Sequence, residues 1–282
     1  MTPALFRLRA PDGPRLARGS IEDGPVELLP ADVHLDDLLA AGAEGLAEAL
    51  ATAPGDGPCP PGTDLLAPVE SQEVWCSGVT YQRSREARVE ESKEPSIYDR
   101  IYVAERPELF FKAPGWRVSG PGEPVAVRAD SGWDMAEPEV GLVLASDGAL
   151  AGFVAGNDMS SRTIEGDNPL YLPQAKVYDR SCALGPAIVP AAAVRLPIDI
   201  RMVITRGAAT LFDGATSTAS LHRTFEDLAA WLFRALSFPV GAVLLTGTGI
   251  VPEASVTLRA GDRVRIELGP LGVLENPVVS VG

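Results

Sequence analysis

Three carboxylates and a lysine could do chemistry together: Glu137 and Glu139 in "WDMAEPEVGLVL", Asp158 in "AGNDMSSR" and Lys176 in "YLPQAKVYD". Glu137 and Glu139 are two positions apart in an apolar run, and strand residues two apart share a face. Pro138, Val140, Leu142 and Leu144 then fill the other face. Two like charges on a buried strand are costly unless something positive sits between them. Asp158 closes another apolar run. Carboxylates on neighbouring strand ends make an all-oxygen site, which suits Mg²⁺, Mn²⁺ or Ca²⁺ better than zinc. Such a cation supplies the missing positive charge. From spacing alone, a half-exposed strand with both glutamates in solvent is the simpler reading.

The elements that must hold these residues are short strands. "EVWCSGVTY", "ELFFKA", "PVAVRA", "PEVGLVLA", "LAGFVAGND", "PIDIRMVI", "GAVLLTGTG", "DRVRIEL" and "GVLENPVVSV" are apolar runs separated by turn signals, the texture of a β-rich domain. Residues 1 to about 52 read as a small α+β unit: "ALFRLR" alternates like a strand, and Leu35, Leu39, Leu46 and Leu50 recur at helical spacing. The Pro/Gly-dense "TAPGDGPCPPGTDLLAPVES" reads as a linker. The division expected is therefore residues 1–70 as a small N-terminal domain with its linker, and residues 71–282 as the main domain. Two helices interrupt the strands. One lies in "RSREARVEESK"; the other, "TFEDLAAWLFRAL", opens with Thr224 and Asp227 as a capping-box variant and carries Leu228, Leu232 and Leu236 as its stripe.

With 282 residues the chain is long enough for a large core. Its net charge of −14 argues against nucleic acid or an anionic membrane as partner, since both need a basic face. Three scattered cysteines without CxxC spacing argue against a disulfide framework or a thiolate zinc site and fit a reducing cytoplasm. The N-terminus lacks a signal-peptide core, and no segment is long enough to span a membrane.

"FFKAPGWRVSGPGEPVAV", "EPEVGLVL", "GFVAGNDMSSR", "AKVYDRSCALGPAIV" and "LLTGTGIVPEASVTLRAGDRVRIELGPLGVLENPV" occur in that order. Together they closely resemble the fumarylacetoacetate hydrolase superfamily over about residues 71 to 282. The resemblance implies an α+β, mainly β fold, with a C-terminal domain of mixed β-rolls. It implies Mg²⁺ or a similar ion held by Glu137, Glu139 and Asp158, a site lysine at Lys176, and contact between Thr248 and the substrate carboxylate. It also implies a homodimer or homotetramer.

Hydrolytic members carry G-x-N-Y-x-x-H-x-x-E, whose His–Glu pair activates water. Here "GVTYQRSREA" puts Ser84 at the His position and Ala87 at the Glu position, and Glu86 is one position off. The chain's two histidines, His34 and His222, lie elsewhere in sequence. The family's proline after TGT is Gly249 here. "GVTYQRSREARVEES", "ERPELFFKA" and "EGDNPLYLPQAKVYD" resemble the branch of 2-keto-3-deoxy sugar acid (2-dehydro-3-deoxy-arabinonate) dehydratases, which makes Glu108 a proton-transfer residue beside Lys176. Elimination needs no activated water: a chelated 2-keto acid has acidified C3 protons, and a C4 hydroxyl can leave once protonated. The resemblance thus implies Lys176 and Glu108 as the proton-transfer pair, with base and acid roles open. A lysine beside a dication is expected to have a lowered pKa. Arg83, Ser84 and Arg85 are candidates for gripping the hydroxyls or carboxylate, with Tyr171 and Gln174 as further lining. The alternative activity is metal-dependent hydrolysis or decarboxylation of an acylpyruvate-like β-diketo acid. The alternative to any activity is a binding protein that kept the fold.

Overall fold

The computed structural model describes residues 1–91 and 95–282. Mixed sheets dominate. A ten-stranded sheet runs in the order Gly24–Leu28, Gly13–Ser20, Pro3–Ala10, Cys182–Pro190, Leu150–Asp158, Pro138–Leu144, Ala242–Leu245, Glu73–Gly78, Glu108–Pro114, with Leu65–Leu66 paired beside Pro3–Ala10. A five-stranded sheet runs Ala209–Ser217, Asp199–Arg206, Asp262–Leu268, Val273–Val281, Val125–Arg128. A short ribbon pairs Asp134–Met135 with Ser160–Ser161. The N-terminal strands join the large sheet edge to edge, Leu5 opposite Ile188.

The strand Pro138–Leu144 is buried at every position. Val140, Leu142 and Leu144 pack into one apolar cluster with Phe153, Leu244 and Ile266, and Val143 packs into a second with Leu39, Val154 and Val243. A strand covered on both faces reads as a continuous apolar run rather than an alternating one, which is what "VGLVL" is.

The helices are shorter than their sequence patterns. The leucine repeat from Leu35 is split into Leu35–Ala40 and Ala43–Thr52. Gly42 lies between them at φ +102°, a conformation that favours glycine and ends the first helix. Thr224 caps its helix as expected, its hydroxyl accepting from Asp227 N at 3.1 Å. Asp227 does not reach back to complete the box; it pairs with Arg223 at 2.8 Å. That helix ends at Leu232, so Leu236 lies outside it and is exposed. The helix expected in "RSREARVEESK" is Gln82–Glu91; Ser92 and Lys93 lie outside the described residues.

Candidate active site

Glu137, Glu139 and Asp158 are brought together at strand ends. Asp158 is the last residue of Leu150–Asp158, and its N–H donates to Glu137 O at 3.0 Å. Glu139 stands opposite Gly156 on the paired strand. The three residues are 4%, 1% and 1% exposed, which excludes the solvent-facing reading of the glutamates. One oxygen from each lies within 4.8 Å of the others. Glu139 Oε2 accepts the Gly247 N–H at 2.6 Å. Burial, then the charges of Asp158 and Glu137, pushes the Glu139 carboxyl well above the usual range. A buried all-oxygen cluster fits a hard divalent cation, whose charge would let the Glu139 carboxyl ionise beside its two carboxylate neighbours.

The protein itself supplies part of the positive charge. Lys176 Nζ donates to Glu137 Oε2 at 2.9 Å, Asp158 Oδ2 at 2.7 Å and Ser160 Oγ at 2.6 Å. Burial alone would lower its pKa, but Asp158, Glu137 and Glu165 reverse this and hold the ammonium well above its ordinary value. In the protein alone the carboxylates around Lys176 outweigh its burial; the lowering expected beside a dication belongs to the ion-bound site. Asp179, three residues on, takes no part in this cluster and pairs with Arg117 at 3.3 Å.

A second lysine completes the cluster. Lys112 is fully buried. Its Nζ lies 2.5 Å from Asp158 Oδ1 and donates to Met159 O at 2.8 Å and Lys176 O at 2.5 Å. In the pairing of Glu73–Gly78 with Glu108–Pro114, Trp75 faces Phe111 and Val74 faces Ala113, so Lys112 is the extra residue of a β-bulge. Such bulges re-aim a side chain out of the ladder. Burial would raise the Asp158 carboxyl, but Lys112 and Lys176 hold it below the usual range.

Two arginines and a fourth carboxylate surround Glu137. Arg88 and Arg162 each place a nitrogen 3.0 Å from Glu137 Oε1, and Arg88 also pairs with Glu165 at 3.1 Å. Glu108, at the start of its strand, is half-buried on the cleft wall with Ser84, Arg88, Phe110, Glu165 and Thr248. Burial, then the charge of Glu165, pushes its carboxyl up to about 7. The TGTG turn is locked in place. Thr80 Oγ1 donates to Thr246 O at 2.6 Å, Thr246 Oγ1 donates to Val140 O at 2.9 Å, and Ile250 N donates to Thr248 Oγ1 at 3.1 Å.

Of the residues expected from sequence, Glu137, Glu139, Asp158, Lys176, Glu108, Ser84 and Thr248 line one cleft. Arg83 and Arg85 do not. Arg83 is exposed beside Glu86 at 4.0 Å, and Arg85 pairs with Asp99 at 2.8 Å. The inward face of their helix carries Ser84 and, one turn on, Arg88. Tyr171 and Gln174 are exposed and also lie off the cleft. Neither histidine reaches it: His34 lies 3.8 Å from Glu70, and His222 stacks on Tyr102 with ring centres 4.4 Å apart. Lys112, Arg88, Arg162 and Glu165 were not anticipated. Spacing held a signal for three of them: Arg88 is four residues after Ser84 on one helix face, and Arg162 and Glu165 share a face of the helix that follows Asp158.

The fumarylacetoacetate (FAA) hydrolase C-terminal family model matches residues 73–279. The chain is 47% identical over 216 residues to the probable 2-keto-3-deoxyxylonate dehydratase of Haloferax volcanii, covering 76% of this chain and 74% of that protein. It is 41% identical over 220 residues to the 2-dehydro-3-deoxy-D-arabinonate dehydratase of Saccharolobus solfataricus, with the same coverage of 76% and 74%. It also resembles the solved structure of 2-keto-3-deoxy-D-arabinonate dehydratase complexed with magnesium and 2,5-dioxopentanoate, with a TM-score of 0.84 and 32% identity over 98% of this chain and 99% of that one. On this match, and with the β-rich architecture and buried acidic triad in place, the chain belongs to the fumarylacetoacetate hydrolase family.

Proposed function

We propose that the protein is a Mg²⁺-dependent hydro-lyase that removes water from a 2-keto-3-deoxy sugar acid. The observation that carries this reading is one cleft holding the carboxylate triad, Lys176 and Glu108, with no histidine on its wall among the described residues. The dehydratase relatives at 47% and 41% identity support it. So does the magnesium and 2,5-dioxopentanoate complex of the neighbouring structure.

Glu137, Glu139 and Asp158 would hold the ion. When bound, it supplies Lewis acidity toward a 2-keto acid. The chain's own groups move the protons. Glu108, with a carboxyl near 7, is substantially ionised at neutral pH and takes a proton from C3. Lys176 is held as an ammonium by Asp158 and Glu137 and protonates the departing C4 hydroxyl. The C3–H electrons form the new double bond, the C4–O bond breaks, and one water leaves. Ser84 and Arg88 face the cleft and are placed to orient hydroxyl or carboxylate groups; Thr248 borders it from the TGTG turn.

Proton exchange tests the division of roles. In D₂O, Glu108→Gln is expected to stop exchange at C3. Lys176→Met is expected to keep exchange and lose dehydration. Wild-type exchange in Glu108→Gln would remove Glu108 from the base role. Hydrolysis of an acylpyruvate is the weaker reading, because Ser84 and the buried Ala87 offer no base where one is needed. No helix among the described residues is long and apolar enough to cross a membrane. With three free cysteines, the protein is proposed to act in a reducing cytoplasm, as a homodimer or homotetramer. Light scattering of the purified protein decides the latter.

A further inference from the structure

We propose that Gly78 is a positioning residue for Glu108: having no side chain, it leaves the space in which the Glu108 carboxylate lies. The inference rests on the reading of Glu108 as the base. Gly78 and Glu108 face each other directly across the antiparallel pair of Glu73–Gly78 with Glu108–Pro114. A Cβ on Gly78 would lie 2.0 Å from Glu108 Oε2, 2.8 Å from its Cδ and 3.4 Å from its Cγ. The carboxylate is thus folded over the bare Gly78 backbone at the edge of the cleft.

The backbone there does not itself demand glycine. Gly78 is not among the residues with positive φ, so an alanine is compatible with its conformation. Gly247 is different: it lies at φ +90°, and a Cβ would meet Thr80 Oγ1 at 2.0 Å, so alanine there strains the turn. At Gly78 the colliding atoms are the far end of a flexible side chain, which can swing away. The strand cannot easily shift instead, because Ser77 Oγ donates to Glu108 O at 3.0 Å and holds the backbone pair together. Gly78→Ala therefore moves the Glu108 carboxylate and leaves its main chain in place. Displacing a reacting group by about 1 Å costs on the order of 10²-fold in rate.

The test is a double-mutant cycle of Gly78→Ala and Glu108→Gln, read as kcat, KM, Mg²⁺ affinity and Tm. Gly78→Ala is expected to lower kcat about 10²-fold while Mg²⁺ affinity and Tm stay close to wild type. On the Glu108→Gln background it is expected to lower kcat no further, since a group already disabled cannot be disabled by displacement. Full kcat in Gly78→Ala, or an equal further loss on the Glu108→Gln background, would overturn the proposal. Full activity in Glu108→Gln is a separate result: it removes the role of Glu108 on which the proposal stands. If Gly78→Ala fails to fold, the Gly78→Ala, Glu108→Ala double variant decides. Restored folding identifies Glu108 as the colliding group and supports the proposal; persistent misfolding overturns it.

Discussion

At the scale of single residues, the site turns on unequal treatment of its carboxylates. Asp158 has two lysines on it and is held ionised, Glu137 has two arginines and a lysine, and Glu139 has a backbone N–H. Glu139 and Asp158 each offer a buried carboxylate oxygen that would ligate a dication, so Glu139→Gln or Asp158→Asn is expected to abolish Mg²⁺ binding in calorimetry and turnover with it. Retained activity in either variant would contradict the metal site. Glu108 gives the pH dependence. Its carboxyl is raised to about 7, so the base form is scarce below that value and dominant above it. The rate is therefore expected to rise with pH through about 7 and then level off. A rate that falls across the same range would make Glu108 the acid. The meeting of the carboxylates, Lys176 and Glu108 in one cleft follows the family resemblance; spacing alone favours glutamates in solvent. Arg83 and Arg85 were misplaced because residue type alone does not say which face of a helix turns inward.

At the scale of elements, three devices aim the side chains: a strand buried on both faces, a bulge and a pinned turn. The bulge explains why Lys112 went unseen. An apolar run such as "ELFFKA" shows no extra residue until its partner strand is known, because the insertion is defined by two residues facing one. Removing the Lys112 ammonium leaves Asp158 with one fewer counter-charge and two carbonyls without their donor. Lys112→Met is expected to destabilise the fold by about 3–5 kcal/mol, read by urea unfolding; a loss under about 1 kcal/mol would mean the pair acts as a surface one. A helix end offers a smaller, separate test. Thr224→Ala removes the cap hydrogen bond to Asp227 N and is expected to cost about 1 kcal/mol, with no change in kcat because the helix lies away from the cleft. The cap was legible because it is a local contact. The end of that helix and the Gly42 break were not, because periodic leucines continue across both.

At the scale of the molecule, the strands of the main domain were largely legible in their order, and so was the β-rich class. The pairing was not. Pro3–Ala10 joins Cys182–Pro190 across most of the chain, and no local signal announces it. The net charge of −14 leaves the acidic triad in an acidic molecule. A divalent cation is thereby favoured over an anionic polymer as the charged partner. The central claim is the elimination itself, and mass spectrometry tests it most directly. The purified protein is incubated with Mg²⁺ and a panel of 2-keto-3-deoxy pentonates, a 2-keto-3-deoxy hexonate and an acylpyruvate, with chelator-treated protein as control. Loss of one water from a sugar acid, abolished by the chelator and restored by Mg²⁺, is the predicted result. Cleavage of the acylpyruvate into two fragments with every sugar acid untouched would contradict it, and would show that a residue other than histidine activates water in this cleft.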